Sequence, residues 1–573
     1  MSTIAEMIVN ALARHGVTHV WGVVGDALNP ITDAIRRHED IDWVGVRHEE
    51  AAAFAAGAQA QLAGRLGVCM GTVGPGSIHL LNGLYDAKKS HAPVLAICGQ
   101  VPSAEIGSDF FQEVNNDVLF SDVAEFARSL TSANQMPHVL EHAVNAAIAK
   151  PGVSILTIPG DVGSLEISDD VALPRFAPTA AATPASDTQI HAAASAIDAG
   201  EKVSLLVGMG ARDARAQVLE LARKLQAPMV VTLKGKEGLE RGNPYQVGQS
   251  GLLGNPAAAG ALDDADVLVL VGTDFPYREW YPQGKTVVQL DTRAEHIGRR
   301  VHVDHALIGH AAPTLDLLLP RLNDVEDSTH LDKARKAYEK WCKSQQRLTE
   351  PPKKAGVVRK LRGAVDNPDD LIRPEAVAKA LDAHASADAI FTVDTGMCTA
   401  WVSRFVSFDN ERRLLGSFNL GSMANAMPQA LGAQMLEPGR EVIACSGDGG
   451  LMMLLGELRT AVSYQLPIKV VVFNNGSLGM VKLEQNQGGL PTFGTDLDNP
   501  DFAAVAAAMG LDSIVIDDPR GLHDQMPEAL RRPGPVLIDV RTNPEEVSLP
   551  PKVSAGDVWG FAIAKSKEFI NSR

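Results

Sequence analysis

Cysteine is scarce in this chain: five residues in 573, scattered, with no Cys-x-x-Cys pair. A small, odd count in so long a chain excludes a disulfide framework and points to a reducing compartment. Positive charge is in deficit as well, with 52 Lys and Arg against 69 Asp and Glu and a formal net charge of −17. That balance excludes broad nucleic-acid binding, which needs Lys/Arg-rich faces. It leaves room for an anionic cofactor held locally by helix N-termini and a metal. Long apolar runs are also missing; none reaches the roughly 18 residues that suggest a membrane-spanning helix. The start, Met1-Ser2-Thr3-Ile4-Ala5-Glu6-Met7, lacks the basic-then-apolar layout of a secretory signal. The expected location is cytoplasmic, with at most a peripheral membrane contact.

Apolar residues make up 45% and charged residues 21% of the chain, the profile of a soluble protein with large cores. The length exceeds one core, and three domains are expected. Short apolar runs alternate with helical patterns throughout. In the first block they are Val17–Gly22, Asp42–Val46, Leu66–Gly71, Pro93–Ile97 and Ser154–Ile158. A Pro/Ala-rich linker, Asp169 to Asp187, precedes the second block, whose runs are Val203–Val207, Met229–Val231, Asp266–Val271 and Thr286–Leu290. The charged stretch Glu326 to Asp370 reads as a helix and a connection. The third block has Ala389–Val393, Glu441–Ser446, Ile468–Phe473 and Val536–Val540. Buried strands alternating with helices imply an α/β fold of three doubly wound parallel-sheet domains. The expected boundaries are 1–168, 187–325 and 371–550, with 326–370 connecting and 551–573 as a tail.

The strongest motif is Gly447-Asp448-Gly449, then 24 residues, then Asn474-Asn475. Both parts end expected strands, at the edge where open parallel sheets bind ligands. Mg²⁺ takes a few hard oxygen donors together with phosphate oxygens. Asp448 offers a carboxylate, Asn475 an amide oxygen and Ser477 a backbone carbonyl, while the glycines let the backbone approach a diphosphate. A second motif, Arg47-His48-Glu49-Glu50-Ala51, follows the run Asp42–Val46. Read alone, Glu49 is either a functional acid or a capping acid for the helix Ala51–Ala60, and Glu50 is an N-terminal helix charge. A third, Gly421-Ser422-Met423, puts a bulky apolar residue after a turn.

Together these segments resemble the thiamine diphosphate-dependent enzymes of the 2-oxo acid decarboxylase type, over essentially the whole chain. The resemblance implies an N-terminal pyrimidine-binding domain, a middle domain and a C-terminal diphosphate-binding domain. It implies Glu49 as the acid that contacts N1′ of the cofactor's aminopyrimidine and thereby activates the thiazolium carbon. Met423 would be the wedge beneath the bent cofactor. The thiamine diphosphate site would draw on Gly421, Ser422, Met423, Asp448, Gly449, Gly450, Asn475, Gly476, Ser477, Leu478, Gly479, Met480 and Val481, with Mg²⁺ on Asp448, Asn475 and Ser477. Because the family places its glutamate and its diphosphate site on different subunits, a homodimer is the expected minimum and a tetramer the expected assembly.

Within that family, Gly416-Ser417-Phe418-Asn419, Met423–Pro428, Phe473–Glu484 and Phe493-Gly494-Thr495-Asp496-Leu497 resemble bacterial pyruvate:quinone oxidoreductases. Gly74-Pro75-Gly76-Ser77-Ile78-His79 and Phe110-Phe111-Gln112-Glu113 resemble the substrate side of the pyruvate-using branch. His79 would orient or protonate intermediates, or be a structural histidine under its helix. Phe111 and Gln112 would face the cofactor, and Met480, Val481 and Glu484 would line the substrate pocket. The middle block resembles FAD-contacting segments at Gly208 and Gly210, at Ser250, Gly251, Leu252 and Leu253, at Thr273, Asp274, Phe275, Pro276 and Tyr277, and at Asp291. The implied activity is oxidation of pyruvate to acetate and CO₂, with electrons passing through FAD to a quinone.

Three segments depart from that branch: Val114-Asn115-Asn116 in place of Thr-His-Pro, Leu420 in place of a histidine, and His310 in place of an aspartate. The tail residues Trp559, Ile563, Phe569 and Ile570, beside Lys565 and Lys567, form a short amphipathic stripe. It would pack on its own domain or touch a membrane. The alternatives are an acetolactate synthase-like carboligase with structural FAD, a phosphate-dependent oxidase, and a non-catalytic relative, which would have no chemical need for Glu49, Asp448 and Asn475.

Overall fold

The computed structural model describes residues 2–168, 170–177, 181–350, 367, 370–408 and 411–546. The tail 551–573 and most of the connection after Glu350 lie outside them. Three parallel sheets organise the chain. The first holds His19–Gly22, Asp42–Gly45, Gly67–Gly71, Val94–Gln100, Ala124–Ser129 and Val153–Pro159. Numbered along the chain, these lie side by side in the order 2-1-3-4-6-5. The third sheet, made of Ile390–Val393, Arg413–Gly416, Val442–Gly447, Lys469–Asn474, Asp512–Ile516 and Val536–Arg541, repeats that order. The middle sheet holds Val203–Val207, Met229–Val231, Val267–Val271, Thr286–Asp291 and His305–Ile308 in the order 2-1-3-4-5.

Interior strands such as Val94–Gln100, Val203–Val207 and Val267–Val271 are buried along their whole length, as expected for sheets covered by helices on both faces. In each sheet the strand order reverses between the first and third strands, and the loops at their carboxyl ends border the crevice where such sheets bind ligands. Among the described residues no helix is long and apolar enough to cross a membrane.

The first and third sheets share one core. The helix Glu49–Ala63 has eight alanines among its fifteen residues and is buried from Ala51 to Ala60. An apolar helix without a polar face must be covered on every side. It lies between the helices Leu81–Lys89 and Ala426–Leu436. The approach to the latter requires glycine: a Cβ on Gly432 would sit 2.3 Å from the Ala55 carbonyl oxygen.

At this joint Gln429 donates to Asp86 Oδ2 at 3.1 Å. Burial pushes the Asp86 carboxyl up to about 6, against hydrogen bonds from Ser417 and Gln429. A raised folded-state pKa costs stability once the pH exceeds the unfolded value, and the cost is complete above the folded value. Asp86→Asn is therefore expected to stabilise the protein by on the order of 2–3 kcal/mol above pH about 6. The gain should fade as pH falls toward about 4. Denaturant unfolding at pH 8 and at pH 4 tests this, and an equal effect at both would contradict it.

Candidate active site

Strands Val442–Gly447 and Lys469–Asn474 are parallel neighbours, with Gly447 opposite Phe473. Their carboxyl ends bring the two parts of the Gly-Asp-Gly…Asn-Asn motif together. Asp448 Oδ1 accepts from Gly449 N at 2.9 Å. Its Oδ2 accepts from Gly476 N at 2.7 Å and from Asn499 Nδ2 at 2.8 Å. Burial raises the Asp448 carboxyl, with these hydrogen bonds opposing, and a divalent cation is the usual compensation for a carboxylate so placed.

The two asparagines divide their tasks. Asn474 donates to Asp539 Oδ1 at 2.9 Å and accepts from Asn499 at 3.1 Å, which ties the strand end down. Among the described residues, Asn475 Oδ1 accepts only from Ser477 N, at 3.1 Å. The Ser477 carbonyl accepts from Gly479 N at 2.9 Å, leaving one lone pair, and the Ser477 Oγ is buried without a partner among the described residues. A buried hydroxyl without a partner beside a carboxylate and an amide oxygen fits a metal-bound diphosphate.

The glycines differ from the expectation that all serve close approach to a ligand. A Cβ on Gly447 would meet open space. On Gly449 it would press on Leu478 at 2.9 Å, and on Gly450 it would sit 2.4 Å from Asp394 Oδ2. Gly450 is thus held to glycine by the Asp394 carboxylate packed against it, while the side-chain ends around Gly449 can move aside. Met423 reaches the same turn, its methyl 3.4 Å from the Cβ position of Gly449. The next residue, Ala424, is buried and holds φ +66, a left-handed conformation that costs on the order of 1–3 kcal/mol and gathers at functional sites.

On the first sheet, helix Glu49–Ala63 begins at Glu49 itself, and the N-cap is His48, whose ring accepts from Glu50 N. Glu49 is therefore not a capping acid, and the helix starts earlier than Ala51. Its buried carboxylate meets His79 Nδ1 at 3.0 Å. The His79 ring stacks on His48 at 4.4 Å. Glu50 accepts from Asn82 Nδ2 at 2.7 Å, and Asn82 also donates to Ser422 Oγ at 2.8 Å, joining this segment to the Gly421–Met423 turn. Arg47 N and His48 N both donate to Glu457 Oε1, at 2.9 and 3.0 Å.

The expected substrate-side residues do not converge in the same way. Phe111 is 78% exposed. Gln112 holds φ +68 against Gly74, whose Cβ would lie 2.8 Å from the Gln112 carbonyl oxygen. Met480 is partly buried, while Val481 and Glu484 are exposed on helix Gly479–Gln487. Asn115 caps the short helix Asn116–Leu119, and Asn116 donates to the Gly99 carbonyl at 3.1 Å. These departures from the expected pattern thus carry local structure.

A cavity of about 800 Å³ lies where the three sheets' loops meet. Nine of the twelve expected flavin residues line it: Gly210, Ser250, Leu253, Thr273, Asp274, Phe275, Pro276, Tyr277 and Asp291. Gly208, Gly251 and Leu252 do not. A Cβ on Gly208 would sit 2.4 Å from the Gly272 carbonyl oxygen, and one on Gly251 would meet the Phe275 ring. These two glycines shape the wall from behind. His310 turns its ring to Thr183 N at 3.1 Å. Asp274 pairs with Arg300 at 3.0 Å, with Arg299, and with His91 at 3.7 Å. Burial works to raise its carboxyl, but His91 and the two guanidiniums bring it to about 2. Sequence reasoning missed Gln61, Thr232, Lys234 and Gln249 on this wall. Thr232 and Lys234 directly follow the strand Met229–Val231, which was a usable signal. Among the described residues, Gln61 Nε2, Gln249 Nε2 and Ser250 Oγ are buried without partners. Unpartnered polar groups around a mostly apolar cavity of this size fit a dinucleotide that carries both apolar rings and polar groups, such as FAD.

Three family models match the chain. The thiamine pyrophosphate enzyme N-terminal TPP binding domain covers residues 2–119, the central domain 190–318 and the C-terminal TPP binding domain 394–540. A Bacillus subtilis (strain 168) protein whose name describes it as thiamine pyrophosphate-containing is 34% identical over 576 residues, covering 100% of this chain and 97% of the relative. A pyruvate oxidase of Lactiplantibacillus plantarum is 30% identical, covering 93% of this chain and 87% of the relative. An acetolactate synthase of Arthrospira platensis is 31% identical, covering 95% of each.

Proposed function

Given that the chain belongs to the thiamine pyrophosphate enzyme family, we propose that it oxidises pyruvate to acetate and CO₂, passing the electrons through FAD to a quinone. One observation carries this reading. The cavity runs from Asp291 in the middle domain to Gly416, Phe418 and Asn419, which lead directly into the Gly421–Met423 turn. A dinucleotide lying along it would end beside the thiamine half-site, as electron transfer requires and a purely structural flavin does not. The pyruvate oxidase relative supports the choice of pyruvate.

When bound, thiamine diphosphate supplies the carbon nucleophile and electron sink for decarboxylation, and FAD accepts two electrons. The chain's own residues do the rest. Asp448, Asn475 and the Ser477 carbonyl would hold Mg²⁺ and, through it, the diphosphate. Met423 would prop the cofactor. Glu49 would hold the proton exchanged with the aminopyrimidine, and His79, 3.0 Å away, keeps that carboxylate oriented. Phe111 and Phe493, 78% and 85% exposed, stand on the two half-sites. Apolar groups so exposed beside a site mark an interface, and a second copy of the chain covering them fits the family's shared site.

The test is anaerobic mixing of the flavin-loaded protein with thiamine diphosphate, Mg²⁺ and pyruvate while following the visible flavin absorbance. Rapid bleaching, reversed by a quinone and accompanied by acetate, is expected. Pyruvate consumption with an unbleached flavin and acetolactate as product would replace this reading with carboligation.

A further inference from the structure

The wall of the flavin cavity nearest the thiamine half-site carries a cation. Lys234 lines the cavity, with 20% of its side-chain surface open, and its ammonium donates to the Leu414 carbonyl. Leu414 lies in the strand Arg413–Gly416, which runs into the cavity wall at Gly416. Behind Lys234 is a buried ionic cluster. Glu237, 1% exposed at its side chain, meets Lys234 Nζ at 3.2 Å, Arg212 Nη1 at 3.0 Å and the Arg413 guanidinium, and accepts from Leu414 N at 3.1 Å. Three cations share this one buried carboxylate. Arg212 has a second partner in the exposed Asp213, and Asp86 lies close enough to feel the Lys234 charge. Neither brings a second carboxylate onto Lys234 among the described residues.

Burial pushes the Lys234 ammonium down, and Glu237 recovers only part of that cost. A buried excess of positive charge facing a cavity is costly unless an anion arrives there.

The direction of a bound dinucleotide says which anion. Asp291 ends a strand of the middle sheet and is placed to accept from ribose hydroxyls. Gly210 and Thr273 flank the crevice at the strand-order reversal, where a diphosphate sits. The remaining end, at Lys234 and Gly416, takes the ring. Two-electron reduction of an oxidised flavin takes up one proton and leaves a negative charge at N1 of the ring, and a charge placed near that edge tunes the potential.

We propose that Lys234 is the positioning cation of the flavin, setting its reduction potential by facing the edge where the reduced ring carries its negative charge. The two electrons come from the decarboxylated substrate of the reaction proposed above, on which this inference rests, and Lys234 keeps its own proton throughout.

Sulfite is the probe, because its addition to N5 leaves the same negative charge at N1. In the flavin-loaded protein, sulfite should bind at least tenfold more tightly than to free FAD. Lys234→Gln should weaken sulfite binding at least tenfold and lower the two-electron midpoint potential by the equivalent, about 30 mV. Lys234→Arg should stay within about threefold of the unaltered protein, since the charge is retained. Unchanged sulfite affinity and potential in Lys234→Gln would overturn the proposal. So would a loss of FAD affinity with the potential of the bound fraction unaltered, which would make Lys234 a phosphate ligand. If Lys234→Gln does not fold, the comparison with free FAD decides: no tighter binding in the unaltered protein removes the proposal. Sulfite titration and photochemical reduction need neither pyruvate nor thiamine diphosphate. Failure of the functional reading would appear separately, as flavin that pyruvate never bleaches.

Discussion

Asp448→Ala is expected to lower the Mg²⁺-dependent affinity for thiamine diphosphate at least a hundredfold, about 3 kcal/mol, and to abolish turnover. The carboxylate performs two tasks that no neighbour can take over. It is the carboxylate of the Gly-Asp-Gly motif, set at the strand ends where a hard cation needs oxygen ligands. It also accepts from Gly476 N and Asn499 Nδ2, so its loss releases the loop that presents Asn475 and Ser477. Asp448→Asn keeps an oxygen but loses the charge, and should fall between the two. Isothermal calorimetry with and without Mg²⁺ separates these effects, and unaltered affinity in the alanine variant would remove Asp448 from the metal site. Folding is not expected to suffer, because burial already disfavours this carboxylate.

Glu49→Gln should leave thiamine diphosphate affinity within about tenfold while lowering turnover by roughly 10²–10⁴. Glutamine has the shape of the glutamate and can still pair with His79, but it cannot exchange a proton with the aminopyrimidine. A decrease in affinity that accounts for the whole loss would make Glu49 a binding residue instead. If two copies share each site, mixing Glu49→Gln with Asp448→Ala protein should restore measurable turnover, since one site of the mixed dimer then carries neither change. Continued inactivity after demonstrated subunit exchange would place both residues in one chain's site.

Every interior strand of the three sheets was legible as an apolar run, because a strand buried on both faces tolerates almost nothing else. Within these three sheets the strands that escaped notice are Ala124–Ser129, His305–Ile308, Arg413–Gly416 and Asp512–Ile516, and all four stand at sheet edges. Edge strands carry charge and exposed positions, as Glu125 and Arg128 show, and a four-residue run such as Arg413–Gly416 is too short for periodicity to register. The candidate site was legible where motif and strand end coincide, at Asp448 and Asn475. It was not legible at Asn499 or Glu457. Their roles depend on loops returning from a distance, Asn499 to Asp448 and Glu457 to the Arg47 and His48 amides. The ionic cluster at Lys234 escaped for the same reason, since Arg413 enters it from another domain.

The alanine-rich helix Glu49–Ala63 has a consequence for biosynthesis. The surface that covers one of its sides, the helix Ala426–Leu436, is translated about 360 residues later. At roughly 5–20 residues per second, the nascent first domain waits on the order of 20–70 s with that apolar flank uncovered. A chain built in this order depends on something to shield it meanwhile, so its yield of folded protein should respond to chaperone supply more than its final stability would suggest.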